Sequence, residues 1–198
     1  MSFLDRFPVP EREQQEIEEH ERTPFFEPPR DELGVVVPLN ALLGRSETAV
    51  VALSHAVAYS DGVALNFIAI VRGMKPSNVH EFLQAQHMWG GEDLSDAFLR
   101  LGVEFSDGRR VSNIGGHRHD LGDDPEGPIL WPQAGGGGGG SGTRIEIRPA
   151  CWMWPLPPPG ALALSCEWPA AGILFTTVEV DADTIRAASE QATALWNT

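Results

Sequence analysis

The sequence predicts a mainly β, antiparallel immunoglobulin-like β-sandwich, with a partly closed β-barrel as the alternative and a short C-terminal helix. Three observations predict it. Eight segments between Val35 and Val180 alternate apolar and polar residues or form short apolar runs, the pattern of half-buried strands. Turn signals punctuate them, among them Ser60-Asp61-Gly62, Ser106-Asp107-Gly108 and Pro157-Pro158-Pro159-Gly160. Strands do not alternate with helical patterns, so a parallel α/β architecture is disfavoured.

The elements follow in chain order. Residues 1–32 read as an acidic flexible tail. Glu11, Glu13, Glu16, Glu18, Glu19 and Glu21 surround one strong apolar residue, Ile17, so a helix from about Pro10 to Arg22 has no stripe to bury. The domain then runs over 33–198. Val35-Val36-Val37 is a short strand ending at Pro38. Thr48 to Tyr59 and Val63 to Arg72 form a hairpin with Gly62 in the left-handed region of a three-residue loop. That closure pairs Tyr59 with Val63, Val57 with Leu65, His55 with Phe67, Leu53 with Ala69 and Val51 with Val71. One face is then almost wholly apolar. The other carries Ser54, Asn66 and Arg72 among alanines and isoleucines.

Val103 to Val111 repeats the device, with Glu104 opposite Arg110 as a favourable cross-strand pair. Between the two hairpins, Val79 to Met88 has helical spacing after Ser77 and Asn78. Residues 115–142 read as a glycine-rich flexible loop; no Gly-Lys-Ser/Thr follows its glycine run, so it is not a phosphate loop. Thr143 to Trp154, Ala161 to Trp168 and Ile173 to Val180 complete the strands. A symmetric hairpin around the prolines sets Cys151 opposite Cys166, Trp152 opposite Ser165 and Met153 opposite Leu164. Asp181 then caps a helix over 182–196, with Ile185, Ala188, Ala192 and Leu195 as its apolar stripe.

Composition narrows the function. Net charge is −14, and both the tail and the rest are acidic. Nucleic acid and anionic membrane are disfavoured partners, because both need clustered Lys and Arg. No transmembrane run and no basic-plus-apolar leader are present, and the two cysteines make no disulfide framework, so the expected location is the cytoplasm with buried thiols.

The strand 143–154 carries the candidate site. Its core parity holds Ile145, Ile147, Cys151 and Met153. The opposite parity holds Arg144, Glu146, Arg148, Trp152 and Trp154. Two tryptophans on a polar face need a cover. The C-terminal helix or the Phe25-Phe26 segment would supply it from within. Otherwise Trp152, Trp154, Arg144 and Arg148 form a patch for a protein partner or a second copy, since Trp and Arg are favoured at interface hot spots. The run Trp154-Pro-Leu-Pro-Pro-Pro-Gly160 with Cys166-Glu-Trp-Pro169, Gly172-Ile173 and Ala194-Leu-Trp196 resembles uncharacterised bacterial, actinobacterial proteins over the last third of the chain. The resemblance implies no activity and no catalytic residues.

The best metal candidate is the segment 117–124, where His117, His119, Asp120 and Asp123 are ligand types at close spacing, although a glycine-rich loop holds ligands at an entropic cost. His55 reads as a hydrogen-bonded core residue, and His80 and His87 as surface. No nucleophile elbow, His-Glu-x-x-His or Cys-x-x-Cys occurs. The expectation is therefore a non-enzymatic protein-binding or assembly module that uses a sandwich face and needs no cofactor. The alternative is a metal-dependent hydrolase or metal-binding protein using 117–124. A third reading is an adaptor whose acidic tail mimics nucleic acid.

Overall fold

The computed structural model describes residues 21–75, 82–84, 86, 94–114, 125, 127–133, 138–141 and 143–196. Along the chain come β1 (Glu32–Leu33), β2 (Val35–Arg45), β3 (Ala49–Ala58), β4 (Val63–Arg72), β5 (Arg100–Glu104), β6 (Arg110–Ser112) and β7 (Ile129–Pro132). There follow β8 (Gly138–Ser141), β9 (Arg144–Ile147), β10 (Ala150–Trp154), β11 (Ala161–Trp168), β12 (Ile173–Asp181), helix α1 (Ala182–Ser189) and β13 (Thr193–Ala194).

Two antiparallel sheets face each other. The first runs β2-β3-β4-β10-β7, with β9 also lying against β4 and β8 against β9; the second runs β12-β11-β5-β6. Neither closes into a barrel, so the sandwich forms and the barrel alternative does not. Period two explains the core: Val63, Leu65, Phe67, Ala69 and Val71 of β4 point inward against Leu101, Val103, Leu162, Leu164, Cys166 and Trp168 of the second sheet. The sheets are tied along the β2–β12 side. Thr176 Oγ1 donates to Leu43 O at 2.7 Å, and Ser46 Oγ donates to Ala171 O at 2.7 Å.

The β5–β6 hairpin forms as the sequence predicts, with Glu104 opposite Arg110 and Gly108 at φ +87°. The β3–β4 hairpin does not. Tyr59 N–H donates to Gly62 O at 2.9 Å, leaving a two-residue turn, and Ala58 rather than Tyr59 faces Val63. Gly62 is not left-handed. It lies under the Trp152 indole, where an added Cβ would sit 2.6 Å from Cη2 and 2.8 Å from Met153 O. A bulge between Leu53 and His55 then switches faces. Val51 and Leu53 are core on one side of it, Ala56 and Ala58 on the other, and His55 leaves the core to sit half-buried with Nδ1 2.9 Å from Ser54 Oγ.

Other expectations are corrected. The proline loop is no hairpin: β10 pairs with β4 and β7, whereas β11 pairs with β5 and β12, so the chain crosses between sheets there and Cys151 is not opposite Cys166. Both thiols are nonetheless buried and free. The first strand continues through Pro38 to Arg45, because β2 is an edge strand and a missing N–H costs no ladder bond there. Within 115–142, Ile129–Pro132 pairs with β10 and Gly138–Ser141 pairs with β9, so that stretch is not one loop. The helix stops at Ser189 instead of 196. Asp181 caps it as expected, accepting from Asp183 N, and Ala182, Ile185 and Ala188 pack into the core. The chain then turns to pair Thr193 and Ala194 with Leu33 and Glu32, which leaves Leu195 and Trp196 exposed. The tail ends earlier than residue 32, since Phe25 and Phe26 are buried. Residues 1–20 lie outside the described residues, as do His80, His87 and most of the expected helix over 79–88. Within that stretch Phe82 packs on Trp168, ring centroids 5.1 Å apart.

Candidate functional site: the outer face of the first sheet

The outward parity of β3 and β4 is unusual. An antiparallel sheet with one wet face alternates apolar and polar residues. Here the outward positions include Val50, Ala52, Val57, Ala64, Ile68 and Ile70, interrupted by Ser54, His55 and Asn66 at the bulge. The face therefore has apolar ground at both ends and a polar seam between.

One end is sealed by the chain itself. Trp152 and Trp154 project on the outer side of β10, as their parity predicts, but Trp152 is 0% exposed. A strap over residues 22–32 covers them. Trp152 Nε1–H donates to Pro24 O at 2.8 Å, and Tyr59 meets the indole edge-on at 5.7 Å. Phe25 lies 5.9 Å from Trp154 and Phe26 4.5 Å from Trp131, centroid to centroid. Polar ties fasten the strap. Arg22 holds both carboxylate oxygens of Asp61 at 3.0 and 2.8 Å, Gln133 Nε2–H donates to Phe26 O, and the backbone N–H and hydroxyl of Ser60 donate to Glu32. The Phe25-Phe26 cover is thus the one that forms, and the exposed tryptophan patch is corrected: Trp152 is sealed and Trp154 half-buried, and sealing one indole is worth on the order of 2–3 kcal/mol.

The other end carries no such strap among the described residues, and Val50, Ala52, Ile68 and Ile70 there are half-buried. Cross-strand registers set Val50 beside Ile70 and Ala52 beside Ile68, with Leu42, 44% exposed, beside Ala52. Arginines ring this ground. Arg45 is opposite Val50, Arg72 is opposite Arg144, and Arg148 continues the strand alongside Ile68. Glu146, opposite Ile70, bonds Arg148 at 2.7 Å and Arg144 at 3.1 Å, and the Arg148 guanidinium above all holds its carboxyl below the usual range. Arg72 donates Nε–H and Nη2–H to the backbone carbonyl of Glu47 at 3.1 and 2.8 Å. Arg45 makes no ion pair among the described residues. A shallow groove of about 440 Å³ runs between Arg45, Glu47, Val50, Ile70, Arg72 and Arg144.

Of the residues singled out from sequence, Arg144 and Arg148 come together here. Trp152 and Trp154 do not join them: Trp152 is four residues along from Arg148, about 13 Å at strand rise, and under the strap. Arg45, Arg72, Leu42, Val50 and Ile68 were not singled out. Their signal was the apolar character of both parities of Val63-Ala-Leu-Asn-Phe-Ile-Ala-Ile-Val71. His117, His119, Asp120 and Asp123 lie outside the described residues. Among the described residues no three His, Cys, Asp or Glu side chains group as metal ligands. Comparison with known proteins finds no matching family model, curated protein or solved structure, so no residue role transfers to this chain.

Burial pushes both thiols up to about 12, which removes the thiolate a nucleophile needs. Ser54 donates its proton to Asn66 O at 2.9 Å, so its hydroxyl is engaged with backbone beside His55. No described helix is long and apolar enough to cross a membrane.

Proposed function

We propose that this chain is a non-enzymatic, cytoplasmic protein-binding or assembly module whose recognition surface is the open end of the first sheet's outer face. The observation that supports it is an apolar centre, Leu42, Val50, Ala52, Ile68 and Ile70, ringed by Arg45, Arg72, Arg144 and Arg148. An apolar centre with a charged rim is the anatomy of a protein interface, and covering it contributes about 2.5 kcal/mol per 100 Å² of apolar surface. The outer face of the second sheet is a poorer candidate. Its shallow groove carries one exposed ring, Phe175, beside Val111, Gly102 and Ser165, but among the described residues no unpaired arginine, since Glu104 and Arg110 pair with each other at 3.0 Å.

A photo-crosslinking residue at Ala52, in the full chain and in the cells that make it, tests this. A discrete crosslinked species, either another protein or a second copy, is expected from position 52 and not from Thr177 on the second sheet. It should vanish on Ile68→Asp. Equal crosslinking at both positions, no crosslinking at 52, or indifference to Ile68→Asp overturns the proposal.

A further inference from the structure

Resting on that reading of the open face, we propose that the partner segment it takes is an acidic peptide, whose carboxylates meet the arginine ring while its apolar side chains cover Val50 and Ile70. The first support is charge placement. Arg72 and Arg144 are directly opposite each other on neighbouring strands, an arrangement that destabilises a sheet unless an anion sits between them. Arg72 spends two N–H groups on a neutral carbonyl, and Arg45 has no carboxylate partner, so among the described residues neither charge is neutralised by an ion pair. Four arginines against Glu47 and Glu146 leave a local surplus of positive charge on a chain whose net charge is −14.

The second support is the interleaving of chemistries. Arg45, Val50, Ile70 and Glu146 form one row across β2, β3, β4 and β9. Three strand spacings of about 4.8 Å make that row about 14 Å wide, the span of four or five extended residues. A guanidinium fork matches a carboxylate in two-point geometry. A phosphate polymer has one charge per nucleotide and no aliphatic side chain to lay on Val50 and Ile70, so its charge is denser and its apolar match poorer than a mixed peptide's. A short peptide mixing carboxylates and aliphatic side chains meets both requirements.

Fluorescence anisotropy with the full chain tests this, using a labelled ten-residue peptide repeating Glu-Glu-Leu-Leu and its Lys-Lys-Leu-Leu counterpart. The bulk charge favours the lysine peptide; the arginine ring favours the glutamate one. Expected are binding of the glutamate peptide only, weakening with salt, and at least a tenfold loss in Arg72→Gln/Arg144→Gln. Preference for the lysine peptide, salt-insensitive binding, or tighter binding of a ten-nucleotide DNA overturns the acidic assignment. Far-UV circular dichroism of the double variant confirms that it is folded; if it is not, Arg45→Gln, at an edge position without described partners, must show the loss instead. Failure is separable from that of the broader reading. If crosslinks from Ala52 persist in the double variant while the glutamate peptide does not bind, the acidic partner is overturned and the face stands; with no crosslinks at all, the face itself falls.

Discussion

The two ends of the first sheet's outer face are built on the same strands and the same parity, yet one is sealed and the other open. At the sealed end the outward residues are Trp152, Trp154, Trp131 and Tyr59, and the chain returns Pro24, Phe25 and Phe26 to cover them. At the open end they are Val50, Ala52, Ile68 and Ile70, smaller side chains ringed by guanidinium groups. The difference shows that strand parity decides which side of a sheet a residue occupies, but not whether that side is wet. At this face the clustered aromatic rings carry a permanent cover, whereas half-buried aliphatics with an arginine rim tolerate water and can take an occasional one.

The largest expected effect that would break the comparison is at the sealed end. Trp152→Ala should cost about 3–5 kcal/mol in urea unfolding, because it empties a fully packed site and frees the strap. Ile68→Asp at the open end should shift the same midpoint by less than about 1 kcal/mol. Equal costs would mean the two ends are equally structural. Next in size, Gly62→Ala should destabilise by about 1–3 kcal/mol, since its Cβ meets the indole and the Met153 carbonyl. Gly139→Ala, with nothing within 4 Å, should be near neutral by thermal melting.

Cys151 lies on the inner side of β10, backing Trp152, with its thiol pushed up to about 12 from an ordinary value near 9. A folded value above the unfolded one stabilises fully below about pH 9, and that contribution is lost as pH rises toward 12. Each unit of pH in that window should cost up to about 1.4 kcal/mol per thiol. Cys151→Ala should flatten the alkaline limb of a stability-against-pH curve. The smallest effect is at the open end. Glu146, half-buried and held low by Arg148 and Arg144, favours the folded state above the ordinary glutamate range and loses that preference as pH falls through its depressed value. Carboxyl NMR titration should place its midpoint below that of an unpaired glutamate, and Arg148→Gln should raise it.

How much of this was legible in the sequence is clearest from two identical tripeptides. Ser106-Asp107-Gly108 closes as expected because only Ser106, through Pro159 O at 2.7 Å, is held from outside, while Asp107 binds its neighbour Arg109 and nothing crowds Gly108. Ser60-Asp61-Gly62 closes differently because Glu32, Arg22 and Trp152 hold all three residues from outside. Local rules could not see an indole ninety positions away. For the same reason the sandwich class and the outward parity of Arg144, Arg148, Trp152 and Trp154 were readable, while the strap, the crossover at the prolines and the meeting of Arg72 with Arg144 were not. β7 was missed because its four residues sit inside a glycine-rich stretch, where the turn signal outweighs the strand signal.

The two cysteines give the chain a built-in clock. They are its only sulfhydryls and both are shut inside the sandwich, so a thiol reagent added to the native protein has nothing to modify until the sheets part. The rate at which both sulfurs are modified then measures how often the molecule opens as a whole. A cysteine introduced anywhere on the surface would react first and alone, which makes the chain ready for site-specific dyes without further engineering.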